Sequence, residues 1–335
     1  MKIGIIGLPN VGKSSIFNLL TEAHAQVAKF PFTTIDRNVG MASIPDERLP
    51  KIVEIIKSPK MKFANIEFID VAGLIKGAAQ GDGLGNKFLS HIRDVDLIIH
   101  VLRCFTEQDI PHTDSNIMPR RDYDIVRTEL FLSDLTVVER RLDKIKKKAE
   151  CREEAEKLNE IKQYLSQGVV PETTVPDLPL LSVKEEIVVL NTDEDGQCQN
   201  AVEGYRLSVK LEEEMLEFTE GEKEDFRKAA GLDPRGLSGL LECCLDRLSV
   251  IQFFTIKGEE ARAWLVPSGT TVVNAAGKIH SDMQSGFIRA EVLHYNDFIK
   301  AGGFAQAHQD GLTKIEGKDY RVKDGDIILI KFRST

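Results

Sequence analysis

The strongest constraint on what this chain can become lies at its beginning, where KIGIIG (residues 2–7) runs into LPNVGKSS and then IFNLLTEA. A short apolar run, a glycine-bounded loop and an apolar-periodic segment predict strand, loop and helix. Gly7, Gly12, Lys13 and Ser14 fit the spacing G-x-x-x-x-G-K-[ST] of a phosphate-binding loop. Glycines let backbone N–H groups turn inward around phosphate oxygens, and the following helix aims its positive end at the same anion. In that geometry Asn10, Val11, Gly12, Lys13, Ser14 and Ser15 cradle the phosphates. Lys13 reaches the β- and γ-phosphates, and the Ser14 hydroxyl offers a hard oxygen ligand to Mg²⁺.

Further along, ANIEFID predicts a second strand ending in Asp70-Val71-Ala72-Gly73. An aspartate at a strand's carboxyl end is placed to hold Mg²⁺ with its waters, and the Gly73 N–H to meet the γ-phosphate. Between these elements FPFTT supplies Thr33 and Thr34; a threonine here is either a second hydroxyl for Mg²⁺, with Thr34 preferred, or the start of a strand. In Ras-like enzymes a glutamine after Asp-x-x-Gly orients the attacking water. Leu74 stands there instead and has no hydrogen-bonding group.

With 335 residues, 42% of them hydrophobic, the chain is long enough to bury more than one core, so two or three soluble domains are expected. A net charge of −9 excludes a protein that coats nucleic acid through its overall charge, and no DNA partner is expected; any RNA contact is local. The apolar run VDLIIHVL has the length of a strand, so no membrane span is expected, and a cytoplasmic location follows. Five cysteines show neither a CxxC pair nor metal-ligand spacing, which reads as free thiols.

From residue 121 to about 180 apolar residues recur at helical spacing amid many charges, predicting two antiparallel helices inserted into the nucleotide domain (residues 1–248). IKKKAECREEAEK is the candidate tip, either a solvated turn or a basic face for ribosomal RNA. After PETTVPDLP the strand EIVVL leads into LNTDEDG, either an acidic turn or a base-reading segment containing Asn191, Thr192 and Glu194. From residue 249 to 335 short alternating strands and turns predict a separate β-rich domain.

GLPNVGKSS, FPFTT, DVAGLIKGAAQGDGLGN and HVLRCF together resemble the YchF, or Obg-like, ATPase family of translation-factor-type P-loop NTPases, over nearly the whole chain. The resemblance implies a doubly wound α/β sheet with an inserted helical hairpin and a C-terminal β-grasp (TGS) domain. It makes Thr34 the switch threonine and places Gly77, Gly81, Gly83 and Gly85 in a second switch. Asn10 is similar to an asparagine that binds K⁺ in related NTPases lacking the glutamine; the other reading is that it closes the loop. His112, in a loop at the sheet's carboxyl edge, matches a family histidine that would orient water or act as general base, and otherwise is an exposed loop histidine. LNTDE resembles the family's N-x-x-E form of the N-K-x-D base motif, which implies adenine over guanine.

Asp36-Arg37 departs from the family's acidic-proline pair, and KEEIVVLN lacks the lysine-proline that opens the strand. The function implied is Mg²⁺-dependent, K⁺-stimulated hydrolysis of ATP to ADP and phosphate by a switch that associates with the ribosome. A GTP-specific Obg-like switch and a nucleotide-gated scaffold with negligible turnover are the alternatives.

Overall fold

A computed structural model describes residues 1–22, 38–71, 92–106, 116–145 and 151–333. The chain begins with β1 (Lys2–Ile6), α1 (Lys13–Glu22), β2 (Asn38–Ile44), α2 (Arg48–Ile56), β3 (Lys60–Lys62), β4 (Ala64–Asp70) and β5 (Leu97–Cys104). Two long helices follow, α3 (Pro119–Ile145) and α4 (Arg152–Ser166), then β6 (Glu186–Thr192), β7 (Tyr205–Leu207), α5 (Val209–Glu214), α6 (Glu220–Ala229) and α7 (Gly236–Arg247). The remainder is β8 (Val250–Lys257), β9 (Glu260–Pro267), α8 (Val272–Ile279), α9 (Ser281–Ser285), β10 (Phe287–His294), α10 (Tyr295–Ala301), α11 (Phe304–Gln309), β11 (Lys314–Glu316) and β12 (Asp326–Phe332).

Two compact units result, one formed by residues 1–23, 27–40 and 67–247, the other by residues 24–26, 41–66 and 248–335. In the first, β4, β1, β5, β6 and β7 lie side by side and run parallel. β2 takes the edge beyond β4. β5, LIIHVLRC, is buried along its whole length, as a near-continuous apolar run must be when both faces of a parallel sheet are covered. The chain moves from β1 to one side for β4, then crosses to the other side for β5. The crevice where the order reverses, at the carboxyl ends of β1 and β5, is where doubly wound sheets bind ligands.

The helical insertion predicted from residue 121 is α3 and α4. The first half of α3 buries Val126 and Leu130, and its second half packs Val138 and Ile145 against Leu158, Ile161 and Leu165 of α4. At the midpoint the fully buried Asp134 accepts hydrogen bonds from Leu181 N (2.9 Å), Ser182 N and Ser182 Oγ (both 2.8 Å), and pairs with Arg93 Nη1 at 3.2 Å. A buried carboxylate persists only when it is so satisfied. Here it fixes how the chain returns into β6.

The second unit holds the mixed sheet β11-β10-β12-β8-β9-β3. β12 runs parallel to β8, and β8 and β9 form an antiparallel pair joined by a tight turn. α8 packs Val272, Ala275 and Ala276 onto Phe253, Phe287, Val292 and Ile328. Residues 41–66, which the sequence reading placed within the nucleotide domain, cluster with this unit. β3 adds in parallel to β9, and Arg48 bonds both Asp46 (Nε to Oδ1, 3.0 Å) and Asp324 while its guanidinium lies 5.3 Å over the Phe254 ring.

The structure departs from the free-thiol reading of the cysteines at one pair. Cys104, the last residue of β5, is disulfide-bonded to Cys198, with Cα atoms 5.3 Å apart. Residues 94 apart in sequence are brought together by β5/β6 pairing, a juxtaposition that spacing along the chain does not encode. Cys151, Cys243 and Cys244 are free. Among the described residues no helix is long and apolar enough to cross a membrane.

Candidate functional site

β1 is flanked by β4 and β5, with Ile5 opposite Asp70 and Ile6 opposite His100. The loop leaving β1 therefore emerges between two carboxyl strand ends. Its glycines are required by geometry. Gly7 has φ +149°, and a Cβ there would strike the Val101 carbonyl oxygen; Gly12 has φ +97°, and a Cβ would strike the Asn191 side-chain nitrogen. Both the conformation and the absence of space exclude other residues. Asn10, exposed at the loop's turn, has φ 60°, a left-handed conformation that asparagine tolerates better than most L residues.

Lys13 opens α1, so the loop and the first helical turn present N–H groups that have no intrahelical acceptor. Its side chain is 6% exposed and donates from Nζ to the Leu8 carbonyl at 2.7 Å. Burial lowers the pKa of its ammonium from 10.5 to about 8, with the Asp70 carboxylate pulling the other way. Among the described residues this buried cation has one neutral carbonyl as hydrogen-bond acceptor, and an anion placed in the loop would favour its charged form.

Ser14 Oγ donates to Asp70 Oδ2 at 2.7 Å. The two residues expected to hold Mg²⁺, 56 positions apart, are thus neighbours. An ion inserted between them would gain two hard oxygen ligands and leave room for phosphate oxygens and waters, which is how Mg²⁺ is usually bound. Thr34, Gly73 and His112 lie outside the described residues.

The residues expected to face the base lie at and just after the end of β6, beside one segment after β5 and one at the start of α5. Asn191, near the end of β6, is 4% exposed; its Nδ2 donates to the Val11 carbonyl (3.0 Å) and its Oδ1 accepts from Val209 N at the start of α5 (3.1 Å). The side-chain oxygen, the atom of a carboxamide that could accept from an adenine amino group, thus already accepts a main-chain N–H. What the carboxamide does here is clamp the phosphate loop, β6 and α5 to one another. Ser208 is fully buried and caps α5, accepting from Leu211 N at 3.3 Å. Thr192 is 2% exposed, and its Oγ1 has no hydrogen-bond partner among the described residues.

Glu194 is on the surface, paired with Lys210 Nζ at 2.9 Å. Asp193, which the sequence reading passed over, accepts from Thr106 N (3.1 Å) and Thr106 Oγ1 (2.9 Å), tying the loop after β6 to the loop after β5. Only the register of two parallel strands, Cys104 opposite Thr192, reveals that pair. His100 is fully buried, as expected of a core residue, with Nδ1 2.6 Å from Glu186 Oε1 and the Tyr123 ring stacked on it at 5.2 Å.

Comparison with known proteins agrees with this architecture. A family described as 50S ribosome-binding GTPase matches residues 2–132, and the YchF GTPase C-terminal family, described as a protein of unknown function, matches residues 250–333. Proteins named ribosome-binding ATPase YchF are 38% identical in Buchnera aphidicola and 37% in Bacillus subtilis; the alignments cover 99% and 98% of both chains. The YchF GTPase of Schizosaccharomyces pombe superposes with a TM-score of 0.80 at 30% identity, covering 99% of this chain and 97% of that one. A GTP-binding protein of Pyrococcus horikoshii, at 17% identity and a TM-score of 0.62 over 99% of this chain and all of that one, shares the fold. With relatives this similar along its full length and a phosphate loop built on the geometry above, the chain belongs to the YchF family of P-loop NTPases.

Proposed function

We propose that this protein binds ATP with Mg²⁺, hydrolyses it to ADP and phosphate, and uses the two states as a switch on the ribosome. The observation that carries the proposal is the cradle at residues 7–14. Two glycines are fixed in conformations only glycine adopts readily, an underpaired buried lysine lies beside them, and the Ser14–Asp70 oxygen pair stands 2.7 Å apart. Relatives of the same length carry the name ribosome-binding ATPase, which supports the choice of nucleotide and partner.

On this reading main-chain N–H groups of Asn10 to Ser15 surround the β-phosphate, and Lys13 Nζ leaves the Leu8 carbonyl for β- and γ-phosphate oxygens. Ser14 Oγ, an Asp70 oxygen and the Thr34 hydroxyl would hold Mg²⁺, which offsets the charge gathering on the leaving phosphates. The Gly73 N–H meets the γ-phosphate. Asn191 sets the distance between the phosphate loop and the base pocket, whose wall is the Asn191–Glu194 segment with Ser208 and Val209. Because Leu74 cannot orient water, either His112 or a K⁺ ion at the exposed Asn10 carboxamide supplies what is missing. The C-terminal unit, read as a TGS-type β-grasp domain, contacts the partner.

Single-turnover hydrolysis in K⁺ and in Na⁺, with wild type and His112→Ala, tests the reaction and separates the two activating groups. Turnover lost in Na⁺ but retained in the variant assigns the role to K⁺, the reverse assigns it to His112, and no turnover under any condition leaves a nucleotide-gated scaffold. A GTP-operated switch is the second reading, favoured by the names of the matched GTPase family and of the Schizosaccharomyces pombe structure.

A further inference from the structure

We propose that Cys104 and Cys198 form a reversible dithiol–disulfide site whose oxidation state sets the order of the loop after β6, and through it the affinity of the base pocket. The coupling to affinity rests on the nucleotide reading above; the redox site and its effect on the loop do not. Cys104 ends β5 directly opposite Thr192, while Cys198 sits six residues beyond Thr192 in the loop that returns to β7. Both sulfurs belong to one small apolar cluster with Leu102 and Leu190, against which Ala201 and Val202 also pack.

Among the described residues, two side-chain ties and the packing of Ala201 and Val202 hold the loop to the sheet. Near its start Asp193 accepts from Thr106; near its middle stands the disulfide. Between them Glu194 and Asp195 are exposed, and the Glu194–Lys210 pair is a solvent-screened contact of the kind that contributes little. Without the covalent tie, Gly196 stays packed against Ala230 and Leu232, while residues 197–203 would be held mainly by the apolar contacts of Ala201 and Val202. The segment that carries Asn191 and Thr192 would then lose the support of the chain that follows it.

The two sulfurs differ in access, which defines the chemistry. Cys104 is 8% exposed, whereas Cys198 is half-buried and within reach of a small thiol. The thiolate of a glutathione-class thiol attacks Cys198 Sγ, the Cys104–Cys198 bond breaks, and Cys104 leaves as a thiolate that takes up a proton. A second small thiol, as its thiolate, then attacks the small-molecule sulfur of the mixed disulfide. This releases Cys198, which is protonated, and the small disulfide, so that two thiols are oxidised as one protein disulfide is reduced. Oxidation is the reverse, driven by the same class of small disulfide. The adjacent Cys243 and Cys244 do not compete, because burial raises both thiol pKa values and suppresses the reactive thiolate.

The test uses the full chain without nucleotide, equilibrated in buffers of varied reduced-to-oxidised glutathione ratio, with Cys198→Ser as control. Peptide mapping should recover a Cys104–Cys198 cross-linked peptide that disappears as the ratio rises. Amide hydrogen exchange in residues 193–202 should be at least about fivefold faster in the reduced protein and in Cys198→Ser under both conditions. ATP should then bind the oxidised form about threefold or more tightly, because ordering the loop in advance lowers the entropy lost on binding. Failure to recover the cross-link at any ratio, or equal exchange in the two forms, overturns the proposal; equal ATP affinity overturns the coupling. Loss of ATP binding in both forms sinks the nucleotide reading instead, and the exchange result stands apart from it.

Discussion

The phosphate end and the base end of the candidate site are built in opposite ways. The phosphate cradle is one continuous stretch, residues 7–14, in which backbone conformation does most of the positioning and two distant side chains, Asp70 at Ser14 and Asn191 at Val11, complete it. The base end draws on residues 104–106, 191–198 and 208–210, held together by side chains: Asn191 to Val11 and Val209, Asp193 to Thr106, and Cys104 to Cys198. A main-chain cradle tolerates little change but needs few partners. A side-chain assembly can be adjusted one contact at a time, and it can be loosened without destroying the fold.

If that contrast is right, the largest loss comes from the phosphate end. Lys13→Ala should weaken ATP binding about 100-fold or more, roughly 3 kcal/mol, in titration calorimetry, with an unchanged far-ultraviolet spectrum. The same lysine makes the empty protein pH-sensitive. Its folded pKa is lowered from 10.5 to about 8, so between those values the unfolded chain binds the proton that the folded chain has lost. Stability of the nucleotide-free protein therefore rises as pH goes from 8 to 10.5, by at most roughly 3 kcal/mol from this group, and the full penalty applies below pH 8. Urea unfolding at pH 7.5 and pH 10 should show this gain in wild type and a smaller one in Lys13→Met.

The next effect belongs to the residue that joins the two ends. Asn191→Ala leaves the buried Val11 carbonyl and Val209 N–H without their partner, at about 1–3 kcal/mol for each group, so unfolding free energy should fall by roughly 2–6 kcal/mol. ATP affinity should drop about tenfold as the phosphate loop loses its strut. A variant with normal stability would remove the clamp from the account. Smallest of all is Lys210→Ala, which breaks the exposed pair with Glu194; stability should change by less than about 1 kcal/mol, measured by the same urea titration.

The same contrast explains what could be read from the residues alone. The strand, loop and helix of residues 2–22 and the paired helices predicted from residue 121 were legible, because their signals are local: spacing of glycines, a run of apolar residues, helical periodicity; the doubly wound sheet came from the family resemblance. Ser14 and Asp70 were assigned from their positions after β1 and β4, and adjacent parallel strands then bring them together. What was not legible depends on cross-strand register. Asp193 with Thr106 and Cys104 with Cys198 meet because β5 pairs with β6, and neither pair has a spacing rule. Asn191 was expected to read the base, but its clamp on Val11 and Val209 depends on how closely Gly12 approaches it, which the sequence does not encode. The attachment of residues 41–66 to the second unit rests on a three-residue strand, Arg48 and scattered side-chain contacts such as Lys62 with Glu260, signals too short for periodicity to reveal.

The central claim is that the cradle at Gly7 to Ser14 and the segment at Asn191 together hold an adenine triphosphate. Competition calorimetry with Mg²⁺·ATP and Mg²⁺·GTP on the purified full chain tests it most directly. The account predicts saturable ATP binding, weakened about 100-fold or more in Lys13→Ala, with GTP at least about tenfold weaker than ATP; GTP binding tenfold tighter than ATP, or ATP binding indifferent to Lys13, would contradict it.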